Sequence, residues 1–249
     1  MLSVRNVHKA FHDNEVLKGI DLTVKKGDVI VILGRSGSGK TTLLRCINFL
    51  ERADEGTMDF DNININLKNA SSKIIRQIRM KTAFVFQHYN LFQNKTALHN
   101  VMEGLVTARK VPKKEAEEIA KKALDKVGLS DKYNAWPHQL SGGQQQRVGI
   151  ARAIAVKPDV ILFDEPTSSL DPELVGEVLN TIKVLASEGV TMVVVTHEIG
   201  FARSVATKVI FMSDGIVVEE GNAEEVLSFP KHERTKLFLQ RYLEAEYAI

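Results

Sequence analysis

Several features that define classes of protein are scarce or missing in this sequence. Among its 249 residues there is one cysteine, Cys46, which excludes an internal disulfide and any cysteine-based zinc cluster. A chain so poor in cysteine is typical of the cytosol, where thiols stay reduced. Cys46 lies among apolar residues of a predicted helix, and we therefore expect it to be a plain core residue.

Long hydrophobic segments are missing as well. The longest apolar runs, such as Val29–Leu33, are far shorter than the about 18 residues that a membrane-spanning helix requires. The N-terminus, Met1–Arg5, lacks the charged-then-apolar pattern of a secretory signal. We expect a chain that does not cross a membrane, although a partner protein would allow it to lie against one.

Neither sign of charge dominates. There are 33 Lys and Arg residues against 31 Asp and Glu residues, a net charge of +2, with no basic tail or stripe. Nucleic-acid binding proteins concentrate positive charge, so we expect no nucleic-acid partner. With 44% hydrophobic and 26% charged residues, the composition is that of an ordinary globular protein whose length allows a substantial core.

The order of predicted elements indicates an α/β protein. Alternating or continuous apolar patterns predict strands at Leu2–Val7, Asp21–Val24, Val29–Leu33, Ala83–Phe86, Val160–Asp164 and Thr191–Thr196. A hairpin is predicted around Asp214-Gly215, between Val209–Met212 and Ile216–Glu219. Strands that alternate with helices form a mostly parallel sheet that is covered on both faces.

Residues 88–158 have a different, helical pattern. The segment Lys113–Val127 places its apolar residues on one stripe, between Pro112 at the start and Gly128 at the end. That stripe consists of Ala116, Ile119, Ala120, Ala123 and Val127. We therefore expect a single domain: an α/β core with a β region from residues 1–87 and 159–232, a helical subdomain from 88–158, and a C-terminal helix from 233–249.

Residues Gly34–Thr41 have the pattern of a P-loop, with a predicted strand before it and a predicted helix after it that extends to about Leu50. Gly37 and Gly39 allow backbone amides to point at phosphates, while Lys40 should reach the β- and γ-phosphates and the Thr41 hydroxyl should hold Mg²⁺. The expected nucleotide contacts are Gly34, Arg35, Ser36, Gly37, Ser38, Gly39, Lys40, Thr41 and Thr42.

An acidic pair follows a second buried strand. Asp164 ends that strand, so its carboxylate should emerge beside the P-loop, where P-loop ATPases have their second magnesium anchor. Glu165 comes next and is the best candidate to orient and deprotonate the attacking water. The alternative is a surface acidic pair that only caps the strand.

The run Leu140–Gln144, of sequence LSGGQ, has a structural and a functional interpretation. Ser141 and Gln144 form the pattern of a capping box at the start of a helix from Gly142 to about Val156. The same exposed amides and hydroxyl could meet a γ-phosphate. Because this run lies too far from the P-loop to serve the same phosphates from the same side, we expect one ATP to be closed between two copies of the chain.

Three single residues are weaker candidates. Gln87 follows a predicted strand, where its amide could touch Mg²⁺ or the attacking water and report the nucleotide state to the helical block. His197 follows another strand and could bond a γ-phosphate, and Phe11 could stack on a base. The alternatives are a surface glutamine, a structural histidine and a packing aromatic residue.

With these motifs in this order, the sequence resembles the ATP-binding subunit of an ABC transporter over nearly its whole length. The resemblance assigns Phe11 as the base-stacking aromatic residue, Gly34–Thr41 as Walker A, Gln87 as the Q-loop, Leu140–Gln144 as the signature, Val160–Asp164 as Walker B, Glu165 as the catalytic glutamate, Ser169–Asp171 as the D-loop and His197 as the switch histidine. It adds Val16 as a nucleotide contact, and Ser168 stands where alanine is common.

The resemblance implies an ABC ATPase fold: a P-loop NTPase core with a parallel sheet, an N-terminal antiparallel β region and an inserted helical subdomain. It implies a head-to-tail homodimer in which Leu140, Ser141, Gly142, Gly143, Gln144 and Asp171 of one copy face the ATP of the other. The implied catalytic residues are Lys40, Gln87, Glu165 and His197. The implied magnesium ligands are Thr41, Gln87 and Asp164.

Two membrane permease subunits and an extracellular solute-binding protein are the other implied partners, with this chain peripheral on the cytoplasmic face of the membrane. Four segments are similar to importers of polar amino acids: Leu44–Glu51, Leu98–Gly104, Gln144–Val148 and Asp171–Val178. Segments 59–67 and 230–235 are similar to L-cystine importers. Glutamine, arginine and histidine stay open as solutes, because none of the solute specificity lies in this chain.

Two other classes of protein are less consistent with the sequence. An ABC-type ATPase without a membrane partner generally carries coiled-coil insertions or two ATPase units, and here there is one unit and no long heptad pattern. A small-molecule kinase that uses only the P-loop would not need Leu140–Gln144.

Overall fold

The structure, a computed structural model, describes the backbone of residues 1–246 and the side chains of residues 1–240. Two sheets and the helices around them make up this part of the chain. The predicted C-terminal helix is present at Glu233–Glu246, and the last three residues of that prediction, 247–249, lie outside the described residues.

An antiparallel sheet of four strands contains β1 Leu2–Phe11, β2 Asn14–Val24, β4 Glu55–Phe60 and β5 Ile63–Asn66, in the order β2-β1-β4-β5. The first two strands are longer than predicted. Register shifts between Val4 and Val7 and between Lys9 and Ala10 break the alternation of apolar residues on which the prediction depends.

The second sheet has six strands: β3 Val29–Gly34, β6 Thr82–Val85, β7 Val160–Asp164, β8 Met192–Val195, β9 Lys208–Ser213 and β10 Ile216–Gly221. Their order is β10-β9-β3-β8-β7-β6, and all neighbours are parallel except the predicted hairpin β9-β10. Because parallel strands point the same way, the carboxyl ends of β3, β8 and β7 lie side by side.

The helices of the core are α1 Lys40–Ile47, α2 Ser72–Lys81, α6 Pro172–Ser187, α7 Ile199–Val205, α8 Ala223–Ser228 and α9 Glu233–Glu246. Helix α1 contacts strands of both sheets and is shorter than the predicted extent to Leu50. Phe49 leaves the helical conformation with a φ of 57°. The buried Asn48 amide donates to the Thr82 hydroxyl at 2.6 Å, which holds the chain outside the helix.

The helical block lies between β6 and β7 in the chain. It contains α3 Ala97–Glu103, a π-helical turn Gly104–Ala108, α4 Lys113–Lys126, a 3₁₀ turn Pro137–Gln139 and α5 Gly142–Ala155. The predicted stripe of α4 is confirmed: Ala116, Ala120 and Ala123 are buried, as is Val127 just after the helix, while Ile119 is partly buried. No helix in the described part of the chain has the length and apolar character that spanning a bilayer requires.

Alternate residues of β3 enter two different hydrophobic cores. Val29, Val31 and Leu33 pack in one core with the apolar residues of the helical block. Ile30 and Ile32 pack in the other, with α1 and the antiparallel sheet. Because side chains of a strand alternate between its faces, this one strand connects both layers and fixes the loop that follows it. Cys46 is buried in the second core, as expected.

Candidate active site

The carboxyl edge of the parallel sheet brings together three segments that are far apart in the sequence. Ile32 of β3 pairs with Val195 of β8, and Val195 also pairs with Asp164 of β7. The P-loop, the acidic pair and the segment of His197 each begin at this edge. The sequence-predicted residues of these three motifs therefore lie in one site.

The P-loop turns tightly around its glycines. Gly37 and Gly39 have φ values of 80° and 96°, in the left-handed region that favours glycine. A Cβ on Gly39 would lie 2.8 Å from the backbone oxygen of Val16, so Val16 borders the loop. Arg35, Ser36 and Gly37 form the exposed outer part of the loop, while Ser38, Gly39 and Lys40 are buried and Thr42 is half-buried.

Two buried polar groups of the P-loop suit a phosphate ligand. The Lys40 side chain is buried, and its ammonium donates to the carbonyls of Gly34 at 2.8 Å and Arg35 at 2.9 Å. Burial lowers the pKa of Lys40, against the opposing influence of Glu165 and Asp164. The buried Ser38 hydroxyl has no hydrogen-bond partner within the described residues, so an anion in the loop would satisfy it.

Thr41 and Asp164 form a pair of oxygen groups. The Thr41 hydroxyl donates to Asp164 Oδ1 at 2.5 Å, and Arg45 Nη2 lies 3.9 Å from Asp164 Oδ2. Burial raises the pKa of Asp164, although the Thr41 hydrogen bond and Arg45 act in the other direction. A hydroxyl beside a carboxylate fits Mg²⁺, which takes a few protein oxygens and completes its shell with phosphates and waters.

No group of three or more His, Cys, Asp or Glu side chains that could hold a metal occurs among the described residues. A cation at Thr41 and Asp164 would therefore depend on phosphate oxygens for further ligands. Gln87 follows β6, the strand beside β7, and is half-buried at the same edge of the sheet.

Glu165 and His197 are hydrogen-bonded to each other. His197 Nε2 donates to Glu165 Oε1 at 2.9 Å, and this bond is the largest influence that lowers the pKa of Glu165. Glu165 also has a left-handed backbone with a φ of 46°, a strained conformation of the kind found at functional sites. The motifs predict separate roles for these residues, and this contact across 32 positions has no signal in the local sequence.

The start of α5 has the capping box that its sequence predicts. The backbone N–H of Gln144 donates to the Ser141 hydroxyl oxygen at 3.2 Å, and the backbone N–H of Ser141 donates to Gln144 Oε1 at 3.0 Å. The two glycines allow close packing, because a Cβ on Gly142 would lie 2.8 Å from the Tyr89 hydroxyl oxygen and a Cβ on Gly143 would lie 3.3 Å from Leu174 Cβ. Leu140 is buried just before the cap.

Asp171 stands at the N-cap position of α6, before Pro172, as the sequence predicts. Its side chain nevertheless makes no capping hydrogen bond, and the residue is exposed. The side chain is therefore available for other contacts.

Phe11 ends β1 and is 42% exposed. The ammonium of Lys9 lies 5.0 Å from the centroid of its ring, and Lys9 is itself held by Glu51 at 3.3 Å and Asp54 at 3.5 Å. A ring that is supported in this way and open to solvent can stack on a base.

A buried P-loop lysine, a hydroxyl–carboxylate pair and a glutamate–histidine pair at the carboxyl edge of a parallel sheet define a P-loop nucleotide hydrolase. Comparison with known proteins narrows the class. The ABC transporter family model matches residues 17–168, and the chain belongs to this family. It is an ABC-type ATPase that binds ATP.

Curated relatives cover nearly the whole chain. It is 56% identical over 241 residues to the L-cystine import ATP-binding protein TcyN of Bacillus subtilis strain 168, which covers 97% of this chain and 93% of that protein. It is 52% identical over 243 residues to the glutamine transport ATP-binding protein GlnQ of Geobacillus stearothermophilus, which covers 98% and 99% of the two chains.

A solved structure confirms the predicted fold class. A dimeric ATP-binding cassette in a post-hydrolysis state, bound to ADP and Pi, is 37% identical to this chain with a TM-score of 0.79. The match covers 90% of this chain and 99% of the cassette.

Proposed function

We propose that this chain is the ATP-hydrolysing subunit of a membrane importer for a polar amino acid, with L-cystine as the first candidate. The observation that carries the proposal is the presence of the Thr41–Asp164 and Glu165–His197 pairs beside the P-loop at one sheet edge, in a chain 56% identical to an L-cystine import ATP-binding protein. Glutamine is the second candidate because the relative named for glutamine transport is 52% identical. Arginine and histidine are further alternatives.

In the proposed reaction, the chain's own residues hold the phosphates and the attacking water. Lys40 donates to the β- and γ-phosphates. Glu165 is a carboxylate at neutral pH, as an ordinary glutamate is, and the His197 bond lowers its pKa further; this carboxylate orients and deprotonates water. His197 holds the Glu165 carboxylate in place. Thr41, Asp164 and Gln87 would hold Mg²⁺, which when bound would supply positive charge against the phosphates.

The second phosphate surface completes the site of another copy. The exposed Ser141 at the N-terminus of α5, with Gly142, Gly143 and Gln144, offers amides and a hydroxyl to a γ-phosphate. Asp171, without a capping bond, lies exposed at the start of α6. A head-to-tail homodimer would place these groups of one copy on the ATP of the other, and the similarity to a dimeric cassette supports this arrangement.

The helical block offers a surface for membrane subunits. A cleft of about 460 Å³ lies on it, lined by Lys95, Thr96, His99, Met102, Val106 and Trp136. Trp136 in this cleft is 40% exposed, and Phe92, whose ring centroid lies 4.9 Å from the ammonium of the cleft residue Lys95, is 45% exposed. Exposed apolar side chains grouped around one cleft are typical of an interaction surface. Two permease subunits docked here would place the chain at the cytoplasmic face of the membrane, and an extracellular solute-binding protein would deliver the solute.

Uptake of labelled L-cystine in the native host tests the proposal. We expect Lys40→Ala at the chromosomal locus to abolish uptake, because the P-loop cation is lost. Lys26→Ala, at an exposed position in the turn between β2 and β3 and outside both the site and the helical block, serves as the control and should transport normally. A parallel panel of glutamine, arginine and histidine would identify the solute if cystine uptake persists. If no solute responded, a soluble ABC-type ATPase without a transport role would become the better account.

A further inference from the structure

The residues around Gln87 are attached to helix α5. We call residues 86–90 the linker segment. Gln146 of α5 is fully buried, and its amide donates to the carbonyl of Phe86 at 3.0 Å. Arg152 of α5 donates to the carbonyls of the last two linker residues, at 3.0 Å and 2.7 Å. Because the segment is hydrogen-bonded to α5 at both ends, a displacement of one is coupled to a displacement of the other.

The last two residues of the linker segment have an unusual backbone. Tyr89 and Asn90 have φ values of 60° and 47°, so two consecutive residues other than glycine lie in the left-handed region. Such a conformation persists only where the surroundings hold it. The Arg152 guanidinium provides this support by binding both carbonyls.

The Tyr89 hydroxyl connects the linker segment to the loop before α6. It donates to the carbonyl of Ser169 at 3.0 Å, and the Ser169 hydroxyl lies 3.0 Å from His88 Nδ1. The hydroxyl oxygen also lies against the start of α5, where a Cβ on Gly142 would come within 2.8 Å of it. The Tyr89 hydroxyl oxygen therefore contacts both the Ser169 loop and the start of α5, the two elements that we expect to face the ATP of the other copy.

We propose that Tyr89 is a positioning residue that holds the Ser169 loop and the start of α5 in one surface with the linker segment. This inference rests on the proposed function, because the value of such a surface is to close the ATP of the other copy. Gln87 lies in the linker segment, so a displacement that begins at one nucleotide reaches both elements that face the second nucleotide. Without the hydroxyl, the two elements move independently and closure of the dimer is weaker.

The test is the dissociation constant of the dimer with Mg-ATP, measured by sedimentation velocity in a Glu165→Gln background. Glu165→Gln should trap the ATP-bound dimer because water activation is lost. Tyr89→Phe is introduced into this background and removes only the Tyr89 hydroxyl oxygen. Tyr133→Phe is the matched control, since the Tyr133 hydroxyl also makes a hydrogen bond, to Asp125 within the helical block. Binding of a fluorescent ATP analogue to dilute monomer and the thermal midpoint are measured for each variant.

We expect Tyr89→Phe to raise the dissociation constant of the dimer about two- to tenfold, the effect of one hydrogen bond, and to leave monomer binding unchanged. Tyr133→Phe should leave both the dissociation constant and monomer binding unchanged. Each variant loses one hydrogen bond within the chain, so we expect their thermal midpoints to fall by similar, small amounts. An equal dissociation constant for the two tyrosine variants would overturn the inference. If Tyr89→Phe lowers the thermal midpoint clearly more than Tyr133→Phe does, His88→Ala decides, because it removes the exposed bond to the Ser169 hydroxyl. A weaker dimer then supports the inference, and an unchanged dimer contradicts it.

Failure of the proposed function has a different signature. If the Glu165→Gln protein with no tyrosine substitution stays monomeric with Mg-ATP at high protein concentration, ATP is not closed between two copies of the chain. The inference about Tyr89 is then wrong as well. If this protein dimerises and the Tyr89→Phe variant dimerises equally well, only the positioning role of Tyr89 is wrong.

Discussion

Alanine at two P-loop glycines should have very different effects on stability. Gly37 and Gly39 both have a left-handed backbone, with φ values of 80° and 96°. An alanine in this conformation costs roughly 1–2 kcal/mol at either position. At Gly39 the new Cβ would also lie 2.8 Å from Val16 O and 2.8 Å from Leu17 Cδ2, whereas at Gly37 it would meet nothing within 4 Å.

The overlap at Gly39 adds about 1–3 kcal/mol, because a backbone oxygen in a strand cannot move aside. We therefore expect Gly39→Ala to lose about 2–5 kcal/mol of unfolding free energy and Gly37→Ala about 1–2 kcal/mol. In a chain of this size the additional loss at Gly39 of about 1–3 kcal/mol corresponds to a thermal midpoint roughly 2–12 °C lower for Gly39→Ala than for Gly37→Ala.

The assay is urea and thermal unfolding without nucleotide, since bound ATP would add its own stabilisation. Gly176→Ala in α6 is the control, because its Cβ would have open space in a helix; it should stabilise the protein by about 0.5–1 kcal/mol. Equal losses at Gly37 and Gly39, or a larger loss at Gly37, would refute the contact between the P-loop and β2.

Three further predictions concern single side chains. His197→Ala should raise the pKa of Glu165 towards its ordinary range, because the hydrogen bond that lowers it is lost. The acidic limb of the pH profile of kcat/KM for ATP hydrolysis should then move to higher pH, and an acidic limb at the wild-type pH would contradict the role of this bond. Asn100 is fully buried, and its side chain makes hydrogen bonds to the backbone of Phe92, Lys95 and Thr96. Asn100→Ala should therefore lower the free energy of unfolding in urea by about 2–4 kcal/mol, and an unchanged urea midpoint would be inconsistent with these bonds. Burial raises the pKa of Cys46 to about 12, so a thiol reagent should label it only on unfolding, and rapid labelling of the native protein would argue against its burial.

The parts of the site that the sequence predicts are those whose residues are neighbours in the chain. The P-loop and the Asp164-Glu165 pair each follow a buried strand, and parallel strands necessarily gather such ends at one edge. The capping box at Ser141 depends on residues three positions apart, so its pattern is also local. These features need no knowledge of how the chain packs.

The parts that the sequence does not predict depend on packing between distant segments. The bond between Glu165 and His197 and that between Tyr89 and Ser169 join residues 32 and 80 positions apart. The end of α1 is set by the contact of Asn48 with Thr82, which no pattern near Asn48 reveals. In β1 and β2, register shifts hide the alternation from which strands are predicted.

The most direct test of the central claim is ATP hydrolysis by mixtures of two inactive variants. Lys40→Ala disables the P-loop. Ser141→Asp disables the second surface by charge repulsion of the γ-phosphate, while Asp can still act as the helix cap. In a mixed dimer, one ATP would meet an intact P-loop from one copy and an intact Ser141 from the other.

We predict that each variant alone is inactive and that an equal mixture recovers activity towards about a quarter of the wild-type rate. Half of the randomly formed dimers are mixed, and each of these has one intact site of two. The mixed activity should rise with protein concentration, because dimers must form. A mixture that remains as inactive as its components would contradict closure of each ATP between two copies of this chain.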